Sequence, residues 1–447
     1  MINYHFKLPQ EQLPTRDTIR TLSIQKNEPS WLLEWRLQAL DCFHQLPLPP
    51  YGPDLSGLSL ENICYYVQPF ERKKKQWDDI PQQIRKTFDS LGISLAEQEV
   101  LAGVGAQLES QVVYEQLKQE WRDQGVVFCS MDTAIHEHAD LVKKYLGTLV
   151  SFREHKFAAL NAALWSGGSF VYVPAGVLLT APVQAYFRME QERMGQFERT
   201  LIVVEKGACL EYVEGCSAPV QTESSLHAAV VEIFAHEESR VSYTTVQNWA
   251  AHVYNLVTKR ACVYKNAHVS WLDGNFGSKI TMKYPTTILQ EEGACGELIS
   301  LSVAHTGQEQ DTGGTMVHKA PHTRSLMLSK TLGYGGSSCY RGGVVINQGA
   351  HHAHARVQCD GFMIEPHSSV ASFPRLSIQE PTARIEHEAS LTAFSDEQLR
   401  YIRSRGLRAH DGMRLIIQGF IKPFISRIPL EYAVELERLC DQQVYRE

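Results

Sequence analysis

AHARVQCDGFMIEPHSSVASFPRLSIQEPTARIEHEASL, residues 353–391, is the stretch on which the reading of this chain turns. Three small-x-β-branched steps punctuate it: Ala355-Arg356-Val357, Ser368-Ser369-Val370 and Ala383-Arg384-Ile385, centred at positions 356, 369 and 384. Looser versions stand upstream at Ala208-Cys209-Leu210, Ser239-Arg240-Val241, Ala267-His268-Val269 and Ala294-Cys295-Gly296, centred at positions 209, 240, 268 and 295. The last of these ends on glycine rather than on an apolar residue. A recurrence of this size marks a solenoid, in which each turn buries its apolar face only by stacking on its neighbours. One turn is expected to take about 28 residues, in two half-turns.

A step of about 28 residues sets Cys359 over His387 on the next turn, roughly 4.8 Å away at backbone level. Parity agrees, since Val357 and Cys359 share one strand face, as do Ile385 and His387. Glu386 and Glu388 fall on the opposite face and join such a site only where the strand ends or twists. Thiolate, imidazole and carboxylate are ligands for borderline and soft metals. From spacing alone, a buried thiol beside a satisfied histidine accounts for the pattern equally well. The run His351-His352-Ala353-His354 either adds ligands beside Cys359 or is a solvated strand end.

Outward from this stretch, the chain divides into three parts. From about residue 169 the apolar period is two: FVYVPAGV, APVQAYFRM, RTLIVVEKG, CLEYVEG, HAAVVEIFAH, RVSYTTVQNW and AHVSWLDGNF are short β-rich runs separated by turn residues. No helix-length pattern interrupts them, which disfavours βαβ units and favours a right-handed parallel β-helix, with a β-sandwich as the alternative. Residues 1–150 read as a helical domain. Ser30 is placed to cap a helix over 31–46, and QQIRKTFDSLG, SLAEQEVLAGVG and ESQVVYEQLKQEWRDQG each run to a glycine stop. His136-Glu137-His138 reads as surface, because i and i+2 diverge on a helix. After the core over 151–392, Ser395 and Gln398 form a capping box that opens a helical unit over 393–447. Helices are expected at 396–405, 412–421 and 430–443, with Pro423 and Pro429 breaking the chain between the last two. Phe420, Phe424, Leu430 and Tyr432 would be exposed there unless something covers them, and an uncovered apolar surface marks a partner site.

A net charge of −7 argues against a nucleic-acid footprint, and the basic run at 72–75 reads as a solvated turn. No apolar run approaches the ~18 residues of a membrane span, and the amino terminus lacks a signal-peptide core, so the chain is expected in the cytoplasm. The 10 cysteines include no C-x-x-C pair, which excludes a zinc ribbon or a dithiol redox motif. Cys216, after Glu214-Gly215, and Cys359, between Gln358 and Asp360, have the polar settings that invite chemistry; glycine would leave the Cys216 thiol accessible at a strand end. No GxxxxGK[ST] loop occurs. A carbohydrate-active β-helix enzyme would need paired acids along a groove, and Glu386 and Glu388 find no second acidic cluster on neighbouring turns.

Gln358-Cys359-Asp360 followed by Glu386-His387-Glu388 resembles the carboxy-terminal signature of the SufB branch of the SufB/SufD family, the scaffolds of SUF iron–sulfur cluster assembly. The resemblance continues through YVEGCSAP (212–219), TTVQNW (244–249), VTKRA (257–261), TMKYP (281–285), CYRGG (339–343) and SDEQLRYIRSRG (395–406). It implies a β-helix fold and a non-enzymatic scaffold role. Cys216 would be the sulfur acceptor, fed by a SufE/SufU-type donor with a cysteine desulfurase. Glu198, His227, Thr245, Gln247 and Lys259 would line an interior sulfur channel, with Arg188 and Trp249 matching further positions of importance. Cys359, Glu386, His387 and Glu388 would bind a transient cluster, of four-iron type, with Cys359, His387 and Glu388 as metal ligands. The implied partners are the SufC ATPase, docked on the carboxy-terminal unit, and SufD or a second copy of the chain; whether reduced FAD supplies electrons stays open. A SufD-type partner role is the alternative within the family, against which Cys359 and the VTKRA and TMKYP runs count. Glu190 stands where relatives carry asparagine, and His367 where many carry a second cysteine.

Overall fold

The computed structural model describes residues 4–8, 12–71 and 101–427. Its core is a parallel β-solenoid of about eight turns, whose two long sheets face each other across a packed interior. One sheet orders its strands as Gln111–Leu117, Gly103–Leu108, Val183–Arg188, Cys209–Ser217, Arg240–Trp249, His268–Gly277, Cys295–His305, Arg324–Tyr334, His354–Met363 and Arg384–Ala393. The first two of these pair antiparallel, and every later neighbour is parallel.

Register fixes the turn length. Cys209 pairs with Arg240, and the ladder continues in step through His268, Cys295, Arg324, His354 and Arg384. The four upstream steps seen in the sequence are therefore true structural equivalents. The step centred on Arg356 is not. Arg384 pairs with His354 rather than Arg356, so the repeat unit there is Ala353-His354-Ala355 and the turn is two residues longer than expected. Cys359 consequently stacks on Ala389, while His387 stacks on Val357.

Because side chains alternate across a strand, the inward positions form rows along the solenoid. Two rows are mainly apolar. Leu210, Val241 and Val269 lead one, and Tyr212, Tyr243, Trp271, Leu298, Met327 and Val357 make the other, which His387 ends. These apolar residues belong to one continuous buried cluster. Each such side chain, fully buried, contributes about 1.5–3 kcal/mol, which is what holds polar residues in the rows beside them.

At the amino-terminal end, helices Arg16–Gln25, Ser30–Gln45 and Lys156–Leu164 bury Ile19, Leu40, Phe43, Leu160 and Leu164 against the first turns. Pro29 rather than Ser30 occupies the cap position of the second helix. The helix expected over 109–125 is mostly absent: Gln111–Leu117 is a strand, and only Gln119–Arg122 is helical. QVVYEQL carries alternation enough for a strand, and pairing with Gly103–Leu108, itself in register with Val183–Arg188, overrides local helix preference. His136 lies near the end of the helix Met131–Glu137. The helical pattern at 82–92, the basic run at 72–75 and the third carboxy-terminal helix, with Leu430 and Tyr432, lie outside the described residues.

The Ser395–Gln398 capping box opens the helix Asp396–Ser404. The next helix, Ala409–Ile425, runs past position 423. It lays Ile417, Ile421 and Phe424 on Leu272, Ile299, Leu301 and Leu332, the outer face of the ten-stranded sheet. Phe424 is fully buried and Phe420 partly so, its ring against Phe362. These two residues, expected at an exposed partner surface, are instead the anchor of the carboxy-terminal unit on the solenoid wall. Tyr401, Leu407 and Leu415 are large apolar side chains that this unit leaves exposed.

Candidate functional site

Two inward rows lie beside the apolar ones. Glu214, Thr245, Asp273, Ser300, Ser329 and Cys359 form the first, ending on Ala389. Cys216, Gln247, Asn275, Ser302 and Thr331 form the second, which continues through Gly361 and ends on Leu391. At ~4.8 Å per turn, five steps carry the first row from Glu214 to Cys359, about 24 Å. The sheet opposite contributes His227, Asn255, Thr281, Gln310 and Ser338 in the same manner.

The amino-terminal end of these rows is densely polar. His227 presents Nε2 to Glu198 Oε1 at 2.9 Å and Nδ1 to Asn255 Oδ1 at 2.8 Å. Its ring also packs on Trp249, centroids 4.7 Å apart. Burial disfavours a charged imidazole, yet Glu198 and the acceptors at both nitrogens hold its pKa above the ordinary value. Asn255 donates through Nδ2 to Gln247 Oε1 at 2.7 Å. Lys259 donates to Asp273 Oδ1 at 3.0 Å and to the Thr245 hydroxyl, and its ammonium sits 4.6 Å from the centre of the Tyr243 ring. Lys283 approaches the same Asp273 oxygen at 3.3 Å. Burial lowers the Lys283 pKa to about 8, Asp273 opposing. Against its own burial, Asp273 is held at about 2 by Lys259 and Lys283.

Cys216 is 1% exposed, so its glycine neighbour does not open it to solvent as the sequence suggested. Gly215 serves another purpose: it faces the other way, and a Cβ there would sit 2.4 Å from the Tyr186 ring. Burial, then Glu214 and Glu198, push the Cys216 thiol well above its usual range, with Lys259 and Lys283 opposing. Its sulfur lies 3.7 Å from Glu214 Oε1, and Tyr243 donates its hydroxyl to the other oxygen of that carboxylate. Arg188 stands elsewhere. It pairs in register with Ser217 on the outer side of the sheet, donating to Ser217 Oγ at 3.0 Å and to Glu190 Oε1 at 2.7 Å.

The carboxy-terminal end is sparer. Cys359 is 4% exposed, and burial raises its pKa to about 11, with the Ser372 hydroxyl opposing. His387 and Glu388 are exposed on the last strand. Glu386, on the face away from Cys359, meets His354 Nε2 and Arg384 at 3.2 Å each. His351 approaches Glu380 at 3.2 Å, and His352 stacks on His322. Among the described residues, the group of three or more His, Cys, Asp or Glu whose ligand atoms all lie within 4.8 Å is Glu198, Cys216 and His227. Cys359, His387 and a carboxylate do not close into such a group, because the two-residue longer turn moves His387 one inward position away.

Glu214, Tyr243, Asn255, Asp273 and Lys283 complete the polar interior and were not singled out from the sequence. A usable signal existed for some: Glu214 and Asp273 share strand parity with Cys216 and Trp271, so a solenoid reading puts both inside.

The fold is thus a β-solenoid in which a polar inward row joins Glu214 to Cys359, with buried ionised groups concentrated at its amino-terminal end. Residues 187–420 match the family model described as "SUF system FeS cluster assembly, SufBD core domain", and residues 104–185 that of the "SufBD protein N-terminal region". Iron-sulfur cluster assembly SufBD family proteins of Staphylococcus aureus (strain USA300) and Staphylococcus saprophyticus are each 48% identical over 426 residues, covering 95% of this chain and 92% of theirs. The chain belongs to the SufB/SufD family of iron–sulfur cluster assembly proteins. Among the described residues, no helix is long and apolar enough to cross a membrane.

Proposed function

We propose that the chain is a SufB-type scaffold, which accepts sulfane sulfur at Cys216, passes it along the solenoid interior and assembles a nascent cluster at Cys359. The observation that carries this reading is the polar row that runs from Glu214 to Cys359 without an apolar side chain between, flanked by the polar row that begins at Cys216. The Cys216 thiolate takes the outer sulfur of a donor persulfide, and the donor leaves as its thiol. Two external thiols then release that sulfur as hydrosulfide, becoming a disulfide while Cys216 regains its thiol. Lys259 and Lys283, on the adjoining turns, stabilise the persulfide and hydrosulfide anions, while Ser300 and Ser329 offer hydroxyl donors onward.

The far end suits assembly with a partner. The last strand, Arg384–Ala393, pairs on one side with His354–Met363, and Phe373, Leu376, Ile378 and Leu391 are exposed beside it. A homologous subunit, SufD or a second copy, would cover this end and add ligands that His387 and Glu388 do not supply alone. A SufC-type ATPase would dock on the exposed side of the carboxy-terminal helices, around Tyr401, Leu407 and Leu415.

The test is a sulfur chase. Label loaded from a desulfurase should appear first as a persulfide on Cys216, read by mass spectrometry, and, after thiol and Fe²⁺ are added, as labelled acid-labile sulfide that Cys359→Ala fails to retain. Ser300→Leu, which plugs the row, should leave label on Cys216 and none as acid-labile sulfide. Labelled acid-labile sulfide in Cys216→Ser, or unimpeded transfer through Ser300→Leu, would refute the reading.

A further inference from the structure

The ligand atoms of Glu198, Cys216 and His227 lie within 4.8 Å of one another, and all three side chains are buried. The imidazole is oriented from outside this group: Asn255 Oδ1 takes the Nδ1 proton at 2.8 Å and is itself fixed by its bond to Gln247. Nε2 is thereby turned toward Glu198, within the group that holds the thiol. A ring nitrogen pinned by an outer amide, with the other directed at a carboxylate and a sulfur, is the arrangement that surrounds histidine metal ligands. A second observation is independent of the first. Glu198 Oε2 is buried with no hydrogen-bond partner among the described residues, and a buried carboxylate oxygen without a partner calls for an occupant.

We propose that Glu198, Cys216 and His227 form a binding site for one borderline divalent transition cation, of the Zn²⁺ or Fe²⁺ kind. The donors are the Cys216 thiolate, His227 Nε2 and a Glu198 oxygen. On binding, the thiol proton and the Nε2 proton pass to solvent, no electron moves, and Nδ1–H keeps its bond to Asn255. Bonds of about 2.0–2.3 Å in a tetrahedral set separate donors by roughly 3.3–3.7 Å, which the present spacing reaches by small side-chain rotations. The thiolate and imidazole select against Mg²⁺ and Ca²⁺. Three protein donors leave a fourth position for an exchangeable ligand. A coordinated Cys216 thiolate is not free to attack a sulfur donor, so metal occupancy and sulfur acceptance exclude each other. That consequence rests on the role of Cys216 given above; the site itself does not.

The test uses the full chain, stripped with chelator and titrated anaerobically with Co²⁺, followed by thiolate-to-Co²⁺ charge-transfer absorption and then by displacement with Zn²⁺ or Fe²⁺. One Co²⁺ per chain is expected, with the band unchanged in Cys359→Ala, absent in Cys216→Ser and at least tenfold weaker in affinity in His227→Gln and Glu198→Gln. Whichever of Zn²⁺ and Fe²⁺ displaces Co²⁺ at the lower concentration identifies the preferred cation. Glu198→Gln, which keeps size and shape, decides the matter if Cys216→Ser fails to fold. Absence of the band in the unaltered protein, or its persistence in Cys216→Ser or at full affinity in Glu198→Gln, overturns the proposal. Sulfur loading on Cys216 without Co²⁺ binding would sink this site alone, and Co²⁺ binding without sulfur loading would sink the scaffold reading alone.

Discussion

Asp273→Asn probes the charge arrangement inside the solenoid. The Asp273 carboxylate meets Lys259 at 3.0 Å and Lys283 at 3.3 Å and accepts the Thr245 hydroxyl at 2.7 Å, all within the buried interior. Asparagine keeps the shape and a carbonyl acceptor but leaves two buried ammonium groups without their counter-charge. Removing one partner of a buried pair costs about 3–5 kcal/mol. The loss is bounded because a lysine can shed its proton, and Lys283, already lowered to about 8 by burial, does so most readily. The sign in pH follows. The unfolded chain binds more protons than the folded one between about 8 and Lys283's ordinary 10.5, so stability rises with pH across that window. Asp273, lowered to about 2, contributes stability that is complete above its ordinary 3.8 and is lost as pH falls through 2. The variant should therefore lose about 3–5 kcal/mol at pH 7 and clearly less at pH 9. Urea unfolding followed by tryptophan fluorescence reads both values, since Trp249 and Trp271 are buried beside these groups. Combining Asp273→Leu with Lys259→Met and Lys283→Met should restore much of the stability. A loss below about 1 kcal/mol at pH 7, or one that does not shrink at pH 9, would refute the assigned pairing.

Three further expectations follow from packing and register. Phe424→Ala should cost about 3–5 kcal/mol of local stability and raise hydrogen exchange across Ala409–Ile425, while the solenoid strands stay protected. Oxidation should cross-link Cys359 to a cysteine introduced as Ala389→Cys and not to one introduced as His387→Cys, since in-register neighbours lie at ~4.8 Å, within disulfide range; mass spectrometry of the peptides distinguishes the two. Gly277, at φ +71°, would place a Cβ 1.6 Å from the Trp249 carbonyl oxygen, so Gly277→Ala should lower the thermal midpoint sharply, whereas Gly207→Ala, with nothing within 4 Å, should lower it far less.

The sequence by itself settled the architecture. Cys209, Arg240, His268 and Cys295, picked out by the small residue before each, are in-register partners in the folded sheet. That is possible because a solenoid turn is a local object: each strand's alternation and each turn's length are written in the residues that form them. Glu198, His227, Thr245, Gln247 and Lys259 are polar at inward positions, and the structure buries all five. What the chain order could not decide was distance between elements. Whether the final turn sets His387 or Ala389 beside Cys359 depends on how the segment 364–383 folds back, and a difference of two residues there moves His387 to Val357. Whether Gln111–Leu117 is helix or strand depends on a free sheet edge being present beside it. Whether Phe420 and Phe424 face a partner or the solenoid depends on the apolar outer wall built by Leu272, Ile299, Leu301 and Leu332, residues from three separate turns. Local period fixes a repeat; contacts between repeats, and between a repeat and a flanking helix, are set by close packing that becomes visible once all the turns are stacked.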